Sequence, residues 1–250
     1  MQSRPYLIVS DLHLGAVPAS TERAFREFLD FARAEACGLL INGDLFDFWF
    51  EYRSVILREH YRVLAKLADV VEAGVPVSFV GGNHDGWGGS FLRDEVGIGV
   101  YDGPLEMRLG GRRALVAHGD GVGRGDLKYR ALKAVIRHPL PTRAFRLVHP
   151  DLGRWVASRA SSTERKAEGG DRGAKGRAAF IRAWAEERLR QDGGLELVVA
   201  GHAHVPEVEE ILPGRYYVNS GDWIRSFTYV VLPPGGGAPQ LERWPVARGG

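Results

Sequence analysis

The sequence predicts an α/β fold, with a layered α/β core and a second sheet packed on the first. Three observations carry that reading. Apolar runs and helical patterns alternate as βαβαβ through the first 80 residues. A set of short apolar runs separated by turns follows, between residues 105 and 232. The composition, 44% apolar and 26% charged over 250 residues, is that of a globular chain with ample core.

Tyr6-Leu-Ile-Val-Ser reads as a buried strand, as do Gly38-Leu-Leu-Ile-Asn and Val75-Pro-Val-Ser-Phe-Val. Between them, residues 20–36 place Phe25, Phe28, Leu29 and Ala32 on one helical face, and residues 54–73 form a second helix that ends at Gly74. Leu105 to Leu109, Arg113 to Ala117, Leu195 to Ala200, Arg215 to Asn219 and Phe227 to Leu232 supply the second set of strands. In the middle, residues 126–137 alternate apolar and basic at helical spacing, Pro139 and Pro141 break the pattern, and a helix follows Pro150 through Leu152, Trp155 and Val156. Ser161 to Gly176 reads as a mobile polar loop, and Ala178 to Arg190 as a helix aligning Phe180, Ile181 and Trp184. Pro233-Pro-Gly-Gly-Gly and Arg248-Gly-Gly read as linker. The whole chain, 1–250, is expected to form one domain with a helical insertion at about 121–190.

Net charge is +2, but residues 121–190 hold 17 Lys and Arg against 7 Asp and Glu, a balance of +10 in an otherwise acidic chain. Such an insertion suits an anionic partner; the alternative is a small helical core satellite. No run of 18 apolar residues exists, which excludes a transmembrane helix. The first residues lack the apolar core of a secretory signal, so a cytoplasmic location is expected. The single Cys37 excludes an internal disulfide and a cysteine-based zinc site, leaving His, Asp, Glu or Asn to hold any metal.

Chemistry-bearing residues gather where the strands end. The clusters are Ser10-Asp11-Leu12-His13, Asn42-Gly43-Asp44-Leu45-Phe46-Asp47, Gly81-Gly82-Asn83-His84-Asp85, His118-Gly119-Asp120 and Gly201-His202-Ala203-His204. In open α/β sheets the ligand crevice lies outside the carboxyl ends of the strands. Residues i and i+2 leave a strand on the same side, so Asp11 and His13 can share one ion. Glycines 43, 82, 119 and 201 permit tight turns and close backbone approach. His60, His138 and His149 lie outside these clusters and are assigned to surface or packing. Mixed carboxylate, imidazole and amide donors suit Mn(II), Fe(II), Zn(II) or Co(II) and not calcium. Asp11, His13, Asp44, Asn83, His118, His202 and His204 exceed the needs of one ion. Two ions about 3.5–4 Å apart account for all seven, in an arrangement that favours in-line hydrolysis of phosphoesters or phosphoanhydrides.

Asp-x-His, Gly-Asp-x-x-Asp, Gly-Asn-His-Asp, His-Gly-Asp and Gly-His-x-His together closely resemble the calcineurin-like metallophosphoesterase superfamily, over residues 6 to about 232. The resemblance implies a four-layer α/β/β/α sandwich with a helical cap. It implies that Asp11, His13 and His204 bind one metal, that Asn83, His118 and His202 bind the other, and that Asp44 bridges them. His84, paired with Asp47, is then the acid that protonates the leaving group. Ile8-Val-Ser-Asp-Leu-His-Leu-Gly, Gly43-Asp-Leu-Phe-Asp-Phe-Trp and Val218-Asn-Ser-Gly-Asp-Trp look like the UDP-2,3-diacylglucosamine diphosphatases of lipid A biosynthesis. So does His118-Gly-Asp-Gly-Val-Gly-Arg-Gly-Asp with the later His149-Pro-Asp-Leu-Gly. The proteobacterial enzymes of that family carry Arg where His84 stands.

The narrower resemblance implies cleavage of UDP-2,3-diacylglucosamine to lipid X and UMP with two divalent ions, Mn(II) first among them. Asp126 follows a substrate-contacting position, and Phe180 and Trp184 are expected to hold lipid. Peripheral contact with an anionic inner-membrane surface is expected, with no nucleic acid and no obligate protein partner. The competing readings are a soluble metal-dependent phosphodiesterase or phosphatase acting on nucleotides or phosphoproteins, and a metal-binding scaffold without turnover.

Overall fold

A computed structural model describes residues 3–87, 89–122, 139–153, 155 and 173–246. Strand β1 (Tyr6–Val9) is buried along its whole length, as an unbroken apolar run must be inside a parallel sheet. It pairs in parallel with β2 (Gly38–Asn42), β2 with β3 (Val77–Val80), and β3 with β4 (Gly99–Tyr101). On its other side β1 meets β10 (Thr228–Leu232) antiparallel, and β10 meets β11 (Gln240–Arg243), giving the order β11-β10-β1-β2-β3-β4. The second sheet runs β5 (Leu105–Leu109), β6 (Arg112–Val116), β7 (Leu197–Ala200), β9 (Arg215–Asn219), β8 (Glu207–Leu212), with β6, β7 and β9 parallel.

Alternation along each strand sorts the side chains into layers. Leu7, Val9, Leu39 and Ile41 face two helices, α1 (Ala19–Glu35) and α2 (Tyr61–Glu72), which present Phe25, Phe28, Leu29 and Leu67. Ile8, Leu40 and Val80 face the other way, into an inter-sheet core with Val116, Leu197, Val199 and Val218. A short helix α3 (Pro139–Phe145) precedes α4 (Ala174–Gln191), and α4 lays Ile181, Trp184, Ala185 and Leu189 on the outer face of the second sheet, against Val198, Ala200 and Tyr217. The layers therefore run α/β/β/α.

Several expectations change. The second helix starts at Tyr61, after a 3-10 turn at Arg58–His60, and the β-branched Val55 and Ile56 lie exposed outside it. The segment after β10 is not a linker: Pro233 to Gly237 turns the chain back and Gln240–Arg243 adds an edge strand. Ala174, Lys175 and Gly176, read as loop, open α4. That helix, placed in the insertion by charge, is the fourth layer of the sandwich. Trp184, expected to hold lipid, is only 9% exposed and packs in the helix–sheet core, whereas Phe180 is 45% exposed. The buried arc of α4 passes through Ala178, Ile181, Ala185 and Leu189, with Trp184 at its edge and Phe180 beyond it. The helix at 126–137, the candidate Asp126, His138, residues 161–172 of the expected loop and the tail at 247–250 lie outside the described residues.

Candidate metal centre

The parallel strands β1, β2, β3, β6 and β7 all end at one edge, and the loops there are laced together by main chain. Asp11 N donates to Gly43 O at 3.0 Å, Leu12 N and His13 N to Asp44 O at 2.8 and 2.9 Å, and Gly201 N to His118 O at 2.7 Å. These bonds bring side chains from both sheets within reach of one another. Asp11, His13 and His204 form one group whose donor atoms lie within 4.8 Å of each other; Asp44, His118 and His202 form a second; His13, Asp44 and His84 form a third that joins them. His13 Nε2 stands 3.3 Å from His204 Nε2 and 3.7 Å from Asp44 Oδ2, while His118 Nε2 is 3.2 Å from Asp44 Oδ2. Asn83 alone of the seven expected ligands is exposed.

Two glycines make this density possible. A Cβ at Gly82 would stand 2.2 Å from Asp44 Oδ1, and one at Gly43, where φ is +83°, would stand 2.3 Å from the His118 ring. No side chain fits either place without moving a candidate ligand.

The donors suit divalent cations. His118 Nδ1–H donates to Asn42 O at 2.8 Å, which leaves Nε2 to take a metal or, without one, a second proton. That Nε2 is buried and stands 3.2 Å from Asp44 Oδ2 without a well-formed hydrogen bond, a spacing that a shared cation or a proton would satisfy. Two imidazole nitrogens facing each other at 3.3 Å, as in His13 and His204, also need a cation or a proton between them. The electrostatics agree. Burial pushes the Asp11 carboxyl up, but the hydrogen bond and charge of His204 outweigh it and bring it to about 2. Burial likewise opposes ionisation of Asp44, yet His118, His84 and His13 hold it well below the usual range. Burial lowers His13, and with the nearby His118 charge lowers His202 to about 4, so both rings stay neutral and able to ligate. His118 is the exception: burial disfavours its cation, but Asp44, Asp11 and Asp120 raise it well above its ordinary value.

The calcineurin-like phosphoesterase family matches residues 4–206. The chain belongs to that family. It is a hydrolase of the calcineurin-like class, whose members use divalent metal ions, and the acidic and histidine groups just described are where this chain can hold them. A protein of Porphyromonas gingivalis named UDP-2,3-diacylglucosamine hydrolase is 32% identical over 92% of this chain and 94% of its own length. A protein of the same name from Xanthomonas oryzae is 32% identical over 87% of this chain and 90% of its own. Another from Ralstonia nicotianae is 30% identical over 88% and 84%. Among solved structures, a dimetal phosphatase of Danio rerio aligns over 98% of this chain and 100% of its own at 12% identity, with a TM-score of 0.45.

In this calcineurin-like chain His84 is partly buried beside His13 and Asp44. Its Nδ1 lies 2.9 Å from Asp47 O and 3.4 Å from Asp47 Oδ1, its main-chain N–H donates to Asp44 Oδ1 at 3.0 Å, and its ring meets His13 edge-on at 4.7 Å. Nδ1 thus faces Asp47. Asp47 Oδ1 also lies 3.5 Å from His13 Nδ1, so one carboxylate steadies both rings. Phe180 and Trp184 are not brought to this edge by any contact described, and Trp184 is committed to packing.

Sequence reasoning missed the carboxylates that brace these loops. Asp85 is fully buried and accepts N–H bonds from Gly82, Asp44 and Phe46 at 2.9, 3.1 and 3.1 Å; burial and the Asp44 charge push it up to about 7. Glu51, 5% exposed, accepts from Gly89, Phe91 and Leu92 N–H at 2.8, 3.0 and 3.3 Å, tying the segment after Asp47 to the segment after His84. Their signal was faint: an acidic residue inside an aromatic stretch, and a third polar residue in Gly-Asn-His-Asp. His60, assigned to surface or packing, is buried against Phe46 at 4.4 Å.

Proposed function

We propose that this chain hydrolyses the diphosphate of UDP-2,3-diacylglucosamine to lipid X and UMP with two divalent ions, manganese first among the candidates. The observation that carries the reaction is the pair of ligand groups joined through His13 and Asp44. The names and near full-length similarity of the relatives support the substrate. Asp11, His13 and His204 hold one ion; Asn83, His118 and His202 hold the other; Asp44 is shared. When bound, such ions activate water and stabilise charge on the attacking and leaving oxygens of an in-line displacement. The chain's own contribution is positioning and one proton. Asp47 orients His84, and His84 Nε2–H protonates the phosphate oxygen that leaves as the P–O–P bond breaks. Addition of water to the other phosphorus balances the reaction.

The helical insertion within 1–250 supplies the lipid contacts in this reading. Leu140, Leu147 and Leu152 are 65%, 90% and 53% exposed and stand near the exposed Arg143 and Arg146 in sequence, which supports peripheral contact with an anionic membrane. Among the described residues no helix is long and apolar enough to cross a membrane. One observation favours the second reading, a small soluble phosphodiester substrate: Trp184 and Ile181 are spent on the sandwich core and cannot cover acyl chains.

The test offers Mn(II)-loaded protein the diacyl substrate and a generic phosphodiester reporter, and weighs the products by mass spectrometry. Lipid X and UMP are expected. Turnover of the reporter alone moves the assignment to the soluble phosphodiesterase. Asp44→Ala is expected to lose most bound metal by elemental analysis and nearly all activity; two ions retained per chain would remove Asp44 from its bridging place.

A further inference from the structure

The stretch Asn219-Ser-Gly-Asp-Trp223 carries no ligand in the reading above, yet it lies directly behind one. Ser220, at the end of β9 in the second sheet, and Ser10, at the end of β1 in the first, are both fully buried, and their Oγ atoms are 2.8 Å apart. Ser10 Oγ lies 2.5 Å from Asp11 Oδ2 and 3.2 Å from Gly221 O. Trp223 N donates to Asp11 O at 3.1 Å.

A serine hydroxyl has one proton. At Ser10 the charged acceptor at 2.5 Å takes it in preference to a carbonyl at 3.2 Å. Ser10 Oγ can then only accept from Ser220, so Ser220 donates. His202 N contacts both Asp11 oxygens, at 3.1 Å (Oδ1) and 3.0 Å (Oδ2). Oδ2 therefore has the Ser10 hydroxyl in addition, and Oδ1 is the oxygen that faces His204 Nε2, at 3.3 Å.

We propose that Ser10 and Ser220 are positioning residues whose hydroxyls form an ordered chain, Ser220 to Ser10 to Asp11 Oδ2, that leaves Oδ1 as the oxygen for a divalent cation. The inference rests on the reading of Asp11 as a metal ligand. Partners behind a ligand fix its orientation and basicity, and their loss costs about 10–100-fold in metal affinity. Here no solvent reaches the chain to replace a deleted hydroxyl, because Ser10, Asp11 and Ser220 are all 0% exposed.

Calorimetric titration of the metal-free, full-length protein with Mn(II) tests this. Ser10→Ala is expected to weaken one class of site by about 10–100-fold. Ser220→Ala is expected to weaken the same class by less, and the double variant to match Ser10→Ala alone, because Ser220 acts only through Ser10. Additive losses would assign both hydroxyls to independent packing and overturn the proposal. So would wild-type affinity in Ser10→Ala while Asp11→Asn loses binding. If Asp11→Asn itself binds Mn(II) as the wild type does, the metal reading fails and this inference falls with it. Should circular dichroism show Ser10→Ala unfolded, Ser220→Ala decides alone, and an unchanged affinity there overturns the chain.

Discussion

Asp11, His13, Asp44, His202 and His204 have φ between 50° and 64°, and among the described residues only Phe227 shares that left-handed backbone without glycine. Each such residue costs about 1–2 kcal/mol. Strain of this kind gathers where surrounding structure over-determines a functional geometry, and the main-chain bonds between the β1 and β2 loops do so here. His84 is free of that strain and answers a different demand. Held through Nδ1 by Asp47, it is proposed to affect rate more than metal binding. His84→Ala is expected to retain its metal content while kcat falls by about 10²–10⁴-fold; an unchanged kcat reduces His84 to a structural residue. At this scale the candidate ligands were legible because polar residues at the ends of apolar runs stand out. Ser10, Glu51 and Asp85 were not. Glu51 and Asp85 bind main-chain N–H groups, which have no sequence signature, and the partner of Ser10 is 210 residues away.

Among the elements, α4 separates the two readings of the basic segment. Arg182 meets Glu207 at 3.4 Å, Glu186 at 3.6 Å and Glu209 more closely, so part of the positive balance of 121–190 is compensated by the second sheet. The helix is sandwich, and only what precedes it is left to form a cap. Trp184→Ser is therefore expected to destabilise the fold by about 3–5 kcal/mol and to lower turnover of every substrate together. Phe180→Ser is expected to leave the melting temperature within a few degrees. A Trp184→Ser protein with native stability and selective loss of lipid turnover would return this helix to the cap. The strands of the first half were legible from unbroken apolar runs. Strands β4, β8 and β11 were not: β4 has three residues, β8 carries three glutamates, and all four β11 side chains are exposed. Their pairing comes from neighbouring backbone and leaves little trace in side-chain pattern.

For the whole molecule, the candidate metal sites couple to stability through protonation. His118 sits above its ordinary value in the metal-free protein, so it contributes stability that is fully present below the unfolded pKa and is lost as pH rises through the folded one. A metal needs that imidazole neutral, and competition from the proton weakens as pH rises. Rising pH therefore lowers the stability of the metal-free protein and raises the increment that a bound metal adds. At a fixed Mn(II) concentration the rise in melting temperature is expected to be larger at pH 8 than at pH 6, and about 5–10 °C where that concentration is a hundredfold above Kd. A shift independent of pH would mean that His118 is not protonated in the metal-free protein.

The first strand lies between a neighbour made soon after it and one made more than 220 residues later, since Leu7 pairs with Leu39 on one side and Val231 on the other. On the ribosome, Asp11 and His13 emerge long before His202, His204 and Ser220 exist. A nascent chain can form β1, β2 and β3 under their two helices, but it offers a cation only fragments of a site, and the edge that β10 will cover stays open. Metal capture is therefore among the last events of biogenesis, and until then the open edge of β1 is a surface on which a second nascent chain could pair.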